Sequence, residues 1–287
     1  MYRTVPPPPR SAVERTVRVA LEEDLGRGDV TTASCVPSDH HGRAVLRARA
    51  PIVLCGLDVV REVYRQVDAD VRVEARALDG DRLEAGAEAA RLAGTAASLL
   101  SGERVALNFV QRLSGVATIA RQYVDAVPVG ATVRITDTRK TTPGLRALER
   151  YAVRCGGAHN HRDDLAAAVL IKDNHIAAAG GVRAAVDGAR RLAPHTSRIE
   201  CEVDTLGQLD EALDAGVDVV LLDNFDDAMV AEGVRRARGR AIVEVSGGIT
   251  LERVPTLANA GVEIISVGAL THSAPAADVG LDWVGEP

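Results

Sequence analysis

The stretch from Ala158 to Ile176 reads A-H-N-H-R-D-D-L-A-A-A-V-L-I-K-D-N-H-I. It sets His159, His161, Arg162, Lys172 and His175 around a short apolar run, Ala166–Ile171. Just upstream, D-T-R-K-T-T-P-G from Asp137 to Gly144 adds Thr138, Arg139 and Lys140. The whole chain is nevertheless acidic, with a formal charge of −6. Cations gathered at one place in an acidic protein point to a pocket for a small, multiply charged anion. Arginine would clamp carboxylates with its bidentate fork, and lysine would add a compact point charge.

These residues must be held by something, and after Pro128 the chain offers a regular frame. Apolar runs at Thr132–Thr136, Val169–Lys172, Arg198–Val203, Val217–Leu222, Ala241–Val245 and Glu263–Val267 read as strands. Amphipathic helices are expected between the later ones, at Leu206–Ala215, Ala228–Ala237 and Leu251–Ala260. Repeated βα units with short apolar strands predict a parallel sheet covered by helices, and the spacing favours a βα barrel.

Chemistry in such a barrel sits at the C-terminal ends of the strands. The polar residues follow that rule: Asp137–Lys140, then Lys172, then Asp223 and Asn224, then Ser246, Gly247 and Gly248, then Val267, Gly268 and Ala269. Glu200 and Glu202 lie two apart on one strand and so share a face, for which the barrel interior is apt. The Gly-rich loops after the last two strands suit a phosphate, held by backbone N–H groups. Glu202 and Asp223 call for a cation or a developing positive charge. Two carboxylates beside phosphate oxygens suggest Mg²⁺.

The first part of the chain is different. Ser11 and Glu14 form a capping-box pattern ahead of a helix to about Glu23, followed by a Gly-rich loop, E-D-L-G-R-G-D-V-T-T, from Glu23 to Thr32. Strands are expected at Ala44–Ala48, Ile52–Leu54, Val71–Ala75 and Ala90–Leu92, with a helix at Leu57–Gln66 and a turn at Asp79–Asp81. This grouping indicates an α+β domain. A long helical region then runs from Ala96 to about Val127, with Gly102 and Gly115 as points where it could divide.

Composition excludes several classes. Aromatics are only 2% and no long Lys/Arg run exists, which argues against nucleic acid. No apolar run approaches the ~20 residues that span a membrane. The opening M-Y-R-T-V-P-P-P-P-R lacks the apolar segment of a signal peptide, and Pro6–Pro9 read as a short extended arm. Cys35, Cys55, Cys155 and Cys201 form no C-x-x-C pair. They are expected to be reduced and mostly buried, in a cytoplasmic protein.

Plainer roles compete at several positions. His175 suits a helix start as well as a substrate contact. Asp173 and Asn174 could cap a helix after Ile176, and Asp223 one after Phe225. Glu200 could support a basic residue. Arg104 could be an ordinary solvated helix residue. His40, His41, His195 and His272 read as surface or loop histidines.

The motifs, taken in order, resemble the quinolinate phosphoribosyltransferase family. The resemblance is carried by E-D-L-G-R-G-D-V-T-T from Glu23, E-R-V-A-L-N-F-V-Q-R-L-S-G-V-A-T from Glu103, and D-T-R-K-T-T-P-G-L-R from Asp137. It continues in H-N-H-R from His159, L-I-K-D-N-H-I from Leu170, L-L-D-N-F from Leu221 and V-S-G-G-I from Val245. It implies an N-terminal α/β sandwich over residues 1–115, an open α/β (TIM-like) barrel over 116–270, and a tail at 271–287 that packs with the first domain. It further implies transfer of phosphoribosyl from phosphoribosyl pyrophosphate to quinolinate, with loss of CO₂, in NAD biosynthesis.

The family pattern places quinolinate against Arg139, His161, Arg162 and Lys172, with Thr138 and Lys140 in the same shell. Arg104 is contributed from the other subunit of a dimer, and hexamers are an open further assembly. Lys140, Lys172, Glu202 and Asp223 are the implied catalytic residues, with Glu202 and Asp223 near the ribose and Mg²⁺. Ser246–Gly248 and Val267–Ala269 match the phosphate loops. The chain departs from the pattern at Ala167, at G-G-A over Gly156–Ala158 and at Arg150, and none of these replaces a candidate catalytic residue. Alternatives are a transferase taking an acceptor with one carboxylate, the related paralogue associated with molybdenum transport, and a non-catalytic metabolite binder that kept the pocket.

Overall fold

Short β-rich runs bounded by glycine and turn residues become strands, and the longer amphipathic runs between them become helices. The computed structural model describes residues 5–284. The elements of the first part are α1 (Arg10–Leu25), α2 (Val30–Cys35), β1 (His41–Ala48), β2 (Ile52–Val53), α3 (Leu57–Val67), β3 (Arg72–Ala75), β4 (Arg82–Leu83), β5 (Glu88–Thr95) and α4 (Ala96–Asp125). Then follow β6 (Arg134–Thr136), α5 (Arg146–Cys155), β7 (Val169–Ile171), α6 (Asp173–Ala179), α7 (Val182–Leu192), β8 (Ile199–Val203) and α8 (Leu206–Asp214). The chain ends with β9 (Val219–Asp223), α9 (Asp227–Ala237), β10 (Ile242–Ser246), α10 (Val254–Ala260), β11 (Ile264–Ser266), α11 (Ala269–His272) and β12 (Val279–Trp283).

The chain divides into two units. One holds the chain through Arg121, Thr141–Gly157 and the chain from Ala269; the other holds Gln122–Lys140 and Ala158–Gly268. The first unit is built on an antiparallel sheet in the order β12-β1-β5-β3. The C-terminal strand β12 pairs with β1, with Ala44 opposite Trp283 and Leu46 opposite Leu281. Leu46, Leu92 and Leu281 of this sheet face Val60, Tyr64, Ala106 and Leu107 of α3 and α4. Each fully buried aliphatic side chain here contributes about 2 kcal/mol, which is why the alternating face of the sheet pins its register.

The second unit is a parallel sheet in the order β6-β11-β10-β9-β8-β7. Sheet neighbours are chain neighbours except that β11 returns to β6. That is the cyclic order of a barrel, open on the side of β7. Because the strands are parallel, all their C-terminal ends lie at one end of the unit. The fold is thus an N-terminal α/β sandwich with an open α/β barrel. Among the described residues no helix is long and apolar enough to cross a membrane.

Several local expectations are corrected. The Ser11–Glu14 capping box does not form. α1 starts at Arg10 behind Pro9, so Ser11 is already inside it, and Glu14 pairs with Arg10 at 2.7 Å instead. The Gly-rich segment ends in a short helix, α2, capped by Asp29, which accepts the Thr32 N–H at 2.9 Å. Helices α5 and α7 and strand β12 add to the elements expected from the sequence, β12 forming by its pairing with β1. Cys55, Cys155 and Cys201 are buried and Cys35 is exposed, all as free thiols.

Gly102 and Gly115 do not divide α4, which runs unbroken. They are sites of close approach. A Cβ at Gly102 would lie 2.7 Å from the Tyr64 ring, and one at Gly115 would lie 2.0 Å from the Pro275 carbonyl oxygen. A ring can shift, but a backbone carbonyl cannot easily do so. Gly115→Ala is therefore expected to destabilise the protein by about 1–3 kcal/mol, despite its better helix propensity. Urea unfolding would measure this, and an unchanged or raised midpoint would contradict the packing argument.

Candidate active site

The barrel brings the predicted residues to the C-terminal ends of its strands. Thr138, Arg139 and Lys140 follow β6, Lys172 follows β7, and Asp223 and Ser246 close β9 and β10. Asp223 and Ser246 are register partners, so these two ends are adjacent. Gly247 and Gly248 follow β10, and Val267 and Gly268 follow β11. Ala269 opens α11 in the other unit, as Arg104 lies exposed on α4 there.

Asp137 builds the H-N-H-R segment onto the barrel. It is buried, and its two oxygens accept the Asn160 side-chain amide at 2.6 Å and the His161 N–H at 2.8 Å. The backbone adds His159 N–H to Ile135 O at 2.8 Å and Asp137 N–H to His159 O at 3.1 Å. His159 thereby bridges Thr136 like an extra parallel strand. Thr138 shapes its own loop by accepting the Lys140 N–H at 3.1 Å.

Arg162 emerges from this segment, and its Nη1 donates to Ala168 O at 3.1 Å. Burial first, and the nearby Arg139 guanidinium second, pull its pKa below the ordinary arginine value. Two like charges held together in a partly buried place favour the arrival of an anion between them. His161 lies deeper. Its Nε2 stands 3.3 Å from Glu200 Oε2 and 3.4 Å from Glu244 Oε1. Glu200 thus supports a basic residue, and burial, with Glu244 adding to it, raises its pKa.

Lys172 forms an ion pair with Glu202. Its backbone N–H donates to His175 Nδ1 at 2.9 Å, so His175 serves the start of α6. Asp173 and Asn174 lie inside that helix and do not cap it. Asp223 is no helix cap either, since α9 is capped by Asp226, which accepts the Met229 N–H at 2.8 Å. Asp223 is left to face the site: burial, and secondarily Asp204, raises its pKa, while Lys172 and Lys140 pull it down.

The loop after β10 needs its glycine. Gly247 has φ 88°, and a Cβ there would come within 2.1 Å of Asn224 Oδ1. The backbone can therefore close on Asn224, whose N–H donates to Ser246 O at 3.1 Å. The Tyr123 hydroxyl donates to Ile249 O at 3.0 Å and holds the far side of the loop.

Groups of three or more potential metal ligands among the described residues are Cys55–Asp79–Cys155 and His161–Glu200–Glu244. Neither includes Glu202 or Asp223. These two offer hard oxygen donors but no complete protein cage, which suits Mg²⁺ bound partly through substrate oxygens. Asp137 and Glu244 were given no role from sequence. The available signal for Glu244 was a lone carboxylate within the apolar strand A-I-V-E-V-S, two residues before Ser246.

Fold and site together define an α/β-barrel enzyme with a polar, cation-rich centre at the strand ends. The model of the quinolinate phosphoribosyl transferase N-terminal domain matches residues 29–114, and that of its C-terminal domain matches 116–282. The probable nicotinate-nucleotide pyrophosphorylase [carboxylating] of Bacillus subtilis is 44% identical over 260 residues, covering 91% of this chain and 89% of that protein. The nicotinate-nucleotide pyrophosphorylase [carboxylating] of Mycobacterium leprae is 44% identical over 277 residues, covering 94% and 97%. The solved nicotinate-nucleotide pyrophosphorylase of Francisella tularensis superposes with a TM-score of 0.92 at 38% identity, covering 99% of this chain and 100% of that one. The chain belongs to the quinolinate phosphoribosyltransferase family.

Proposed function

We infer that the protein joins quinolinate to phosphoribosyl pyrophosphate, giving nicotinate mononucleotide, pyrophosphate and CO₂, the step that feeds NAD biosynthesis. The observation that carries this reading is the Arg139–Arg162 pair, taken with the Lys172–Glu202 ion pair, in a chain that matches the family through both domains.

Arg139, Arg162 and Lys172, with His161 behind them, hold the two carboxylates so that the pyridine nitrogen faces the ribose. Arg104 of a second copy completes the pocket in a dimer. Lys140 and Lys172, with Thr138, neutralise the phosphates, and Ser246–Gly248 and Val267–Ala269 cradle them through backbone N–H groups. Departure of pyrophosphate leaves positive charge at ribose C1, which Glu202 and Asp223 stabilise. The ring nitrogen attacks C1. The C2 carboxylate then leaves as CO₂; its bonding pair stays on C2 beside the positive nitrogen and takes up a proton.

Glu202 and Asp223 are also the residues to hold Mg²⁺, which supplies charge neutralisation at the phosphates. Chelation of the metal is expected to stop turnover, and Mg²⁺ is expected to restore it. Turnover that persists in excess chelator would remove the metal from the reading.

The central test is a product assay with quinolinate, phosphoribosyl pyrophosphate and Mg²⁺, beside a parallel reaction with nicotinate. Nicotinate mononucleotide and CO₂ from quinolinate alone are expected. Product from nicotinate would indicate a one-carboxylate acceptor. Ligand binding without product in either tube would indicate a binding protein.

A further inference from the structure

Glu244 sits mid-strand in β10 and is 2% exposed. A carboxylate so deep needs donors to offset its desolvation. It has them. Its Oε1 accepts the Ser266 hydroxyl, and Ser266 Oγ lies 2.8 Å from Thr136 Oγ1, its register partner across β6 and β11. The same Oε1 lies 3.4 Å from His161 Nε2, and Glu200 Oε2 lies 3.3 Å from it. A polar layer thus crosses the barrel interior, from Thr136 through Ser266 and Glu244 to His161.

The other ring nitrogen of His161 faces the Arg162 backbone. Nδ1 accepts the Arg162 N–H at 2.7 Å. An accepting Nδ1 places the ring proton on Nε2, toward the two carboxylates. Burial opposes a charged ring, but Glu200 and Glu244 outweigh it and lift the pKa to about 10. A second proton on Nδ1, however, would point at the Arg162 N–H and break that bond. The ring therefore stays neutral, with one tautomer. A proton on Nε2 also leaves no lone pair there for a metal.

We propose that Glu244 is a positioning residue for quinolinate: its carboxylate, 3.4 Å from His161 Nε2, sets the ring, and through Nδ1 the ring holds the Arg162 backbone and the aim of its guanidinium. This rests on the acceptor assigned above. In Glu244→Met, where the Ser266 hydroxyl loses its acceptor and His161 Nε2 loses the neighbouring oxygen, the quinolinate KM is expected to rise about tenfold, with the phosphoribosyl pyrophosphate KM unchanged. Glu244→Gln keeps an oxygen for both donors and is expected to recover most of the loss. An unchanged quinolinate KM in the methionine variant, or an equal rise for both substrates, would overturn the proposal.

Should that variant not fold, ¹⁵N NMR of the unaltered protein at neutral pH decides. A bare Nδ1 on His161 is expected; a protonated Nδ1 overturns the relay. The two readings fail separately: no product from quinolinate in the unaltered protein sinks the acceptor assignment, whereas the His161 spectrum bears on the relay alone.

Discussion

Replacing Asp223 with Asn is expected to lower turnover by about 10²- to 10³-fold while leaving the fold intact, the size of effect found when one preorganised electrostatic group is removed from a reacting centre. Asp223 closes β9 beside Ser246 and has no capping duty. Its pKa is raised, first by burial, so its environment already disfavours the carboxylate. A positive charge developing on ribose C1 relieves that cost in the transition state, and an amide cannot supply the same relief. Asn keeps the size of the side chain and an oxygen for the Asn224 amide, which donates to Asp223 at 2.7 Å. Steady-state kinetics with thermal melting would check the claim. A turnover within a few-fold of the parent would take Asp223 out of the mechanism, whereas a collapsed melting temperature would assign it a structural part instead.

Arg162→Ala is the second large effect. Loss of one partner of a desolvated charge pair costs 2–5 kcal/mol or more, so quinolinate affinity should fall by about a hundredfold. Phosphoribosyl pyrophosphate binding should change much less, because its phosphates are assigned to the lysines and the Gly-rich loops. The asymmetry is the informative part. Arg162 is held by its own backbone N–H to His161 and by Nη1 to Ala168. Separate titrations of the two ligands would measure the split. Equal loss for both would reassign Arg162 to general electrostatics.

The candidate site and the barrel were largely legible because both rest on local pattern. Short apolar strands followed by Lys172, by Asp223 and by Ser246-Gly247-Gly248 place polar groups at strand ends whatever the sheet order. Glu200 and Glu202 share a face by the strand period alone, and the alternation of Ile199, Cys201 and Val203 says which face. Less legible were features whose meaning depends on a partner. Gly102 and Gly115 look like helix breakers until Tyr64 and the Pro275 carbonyl are seen against them. Ser11 looks like a cap until the helix is found to start at Arg10, with Pro9 in the cap position two residues earlier.

The sequence by itself determined the inventory of this protein: its family motifs, the order of its strands, and the cations and carboxylates at their ends. Strand pairing decided the rest. Which carboxylate meets which cation depends on residues far apart in the chain, as Lys172 meets Glu202 and His161 meets both Glu200 and Glu244. Neighbouring side chains can be read from a period, but contacts across a barrel follow from sheet order and register. Packing among distant segments alone sets that register.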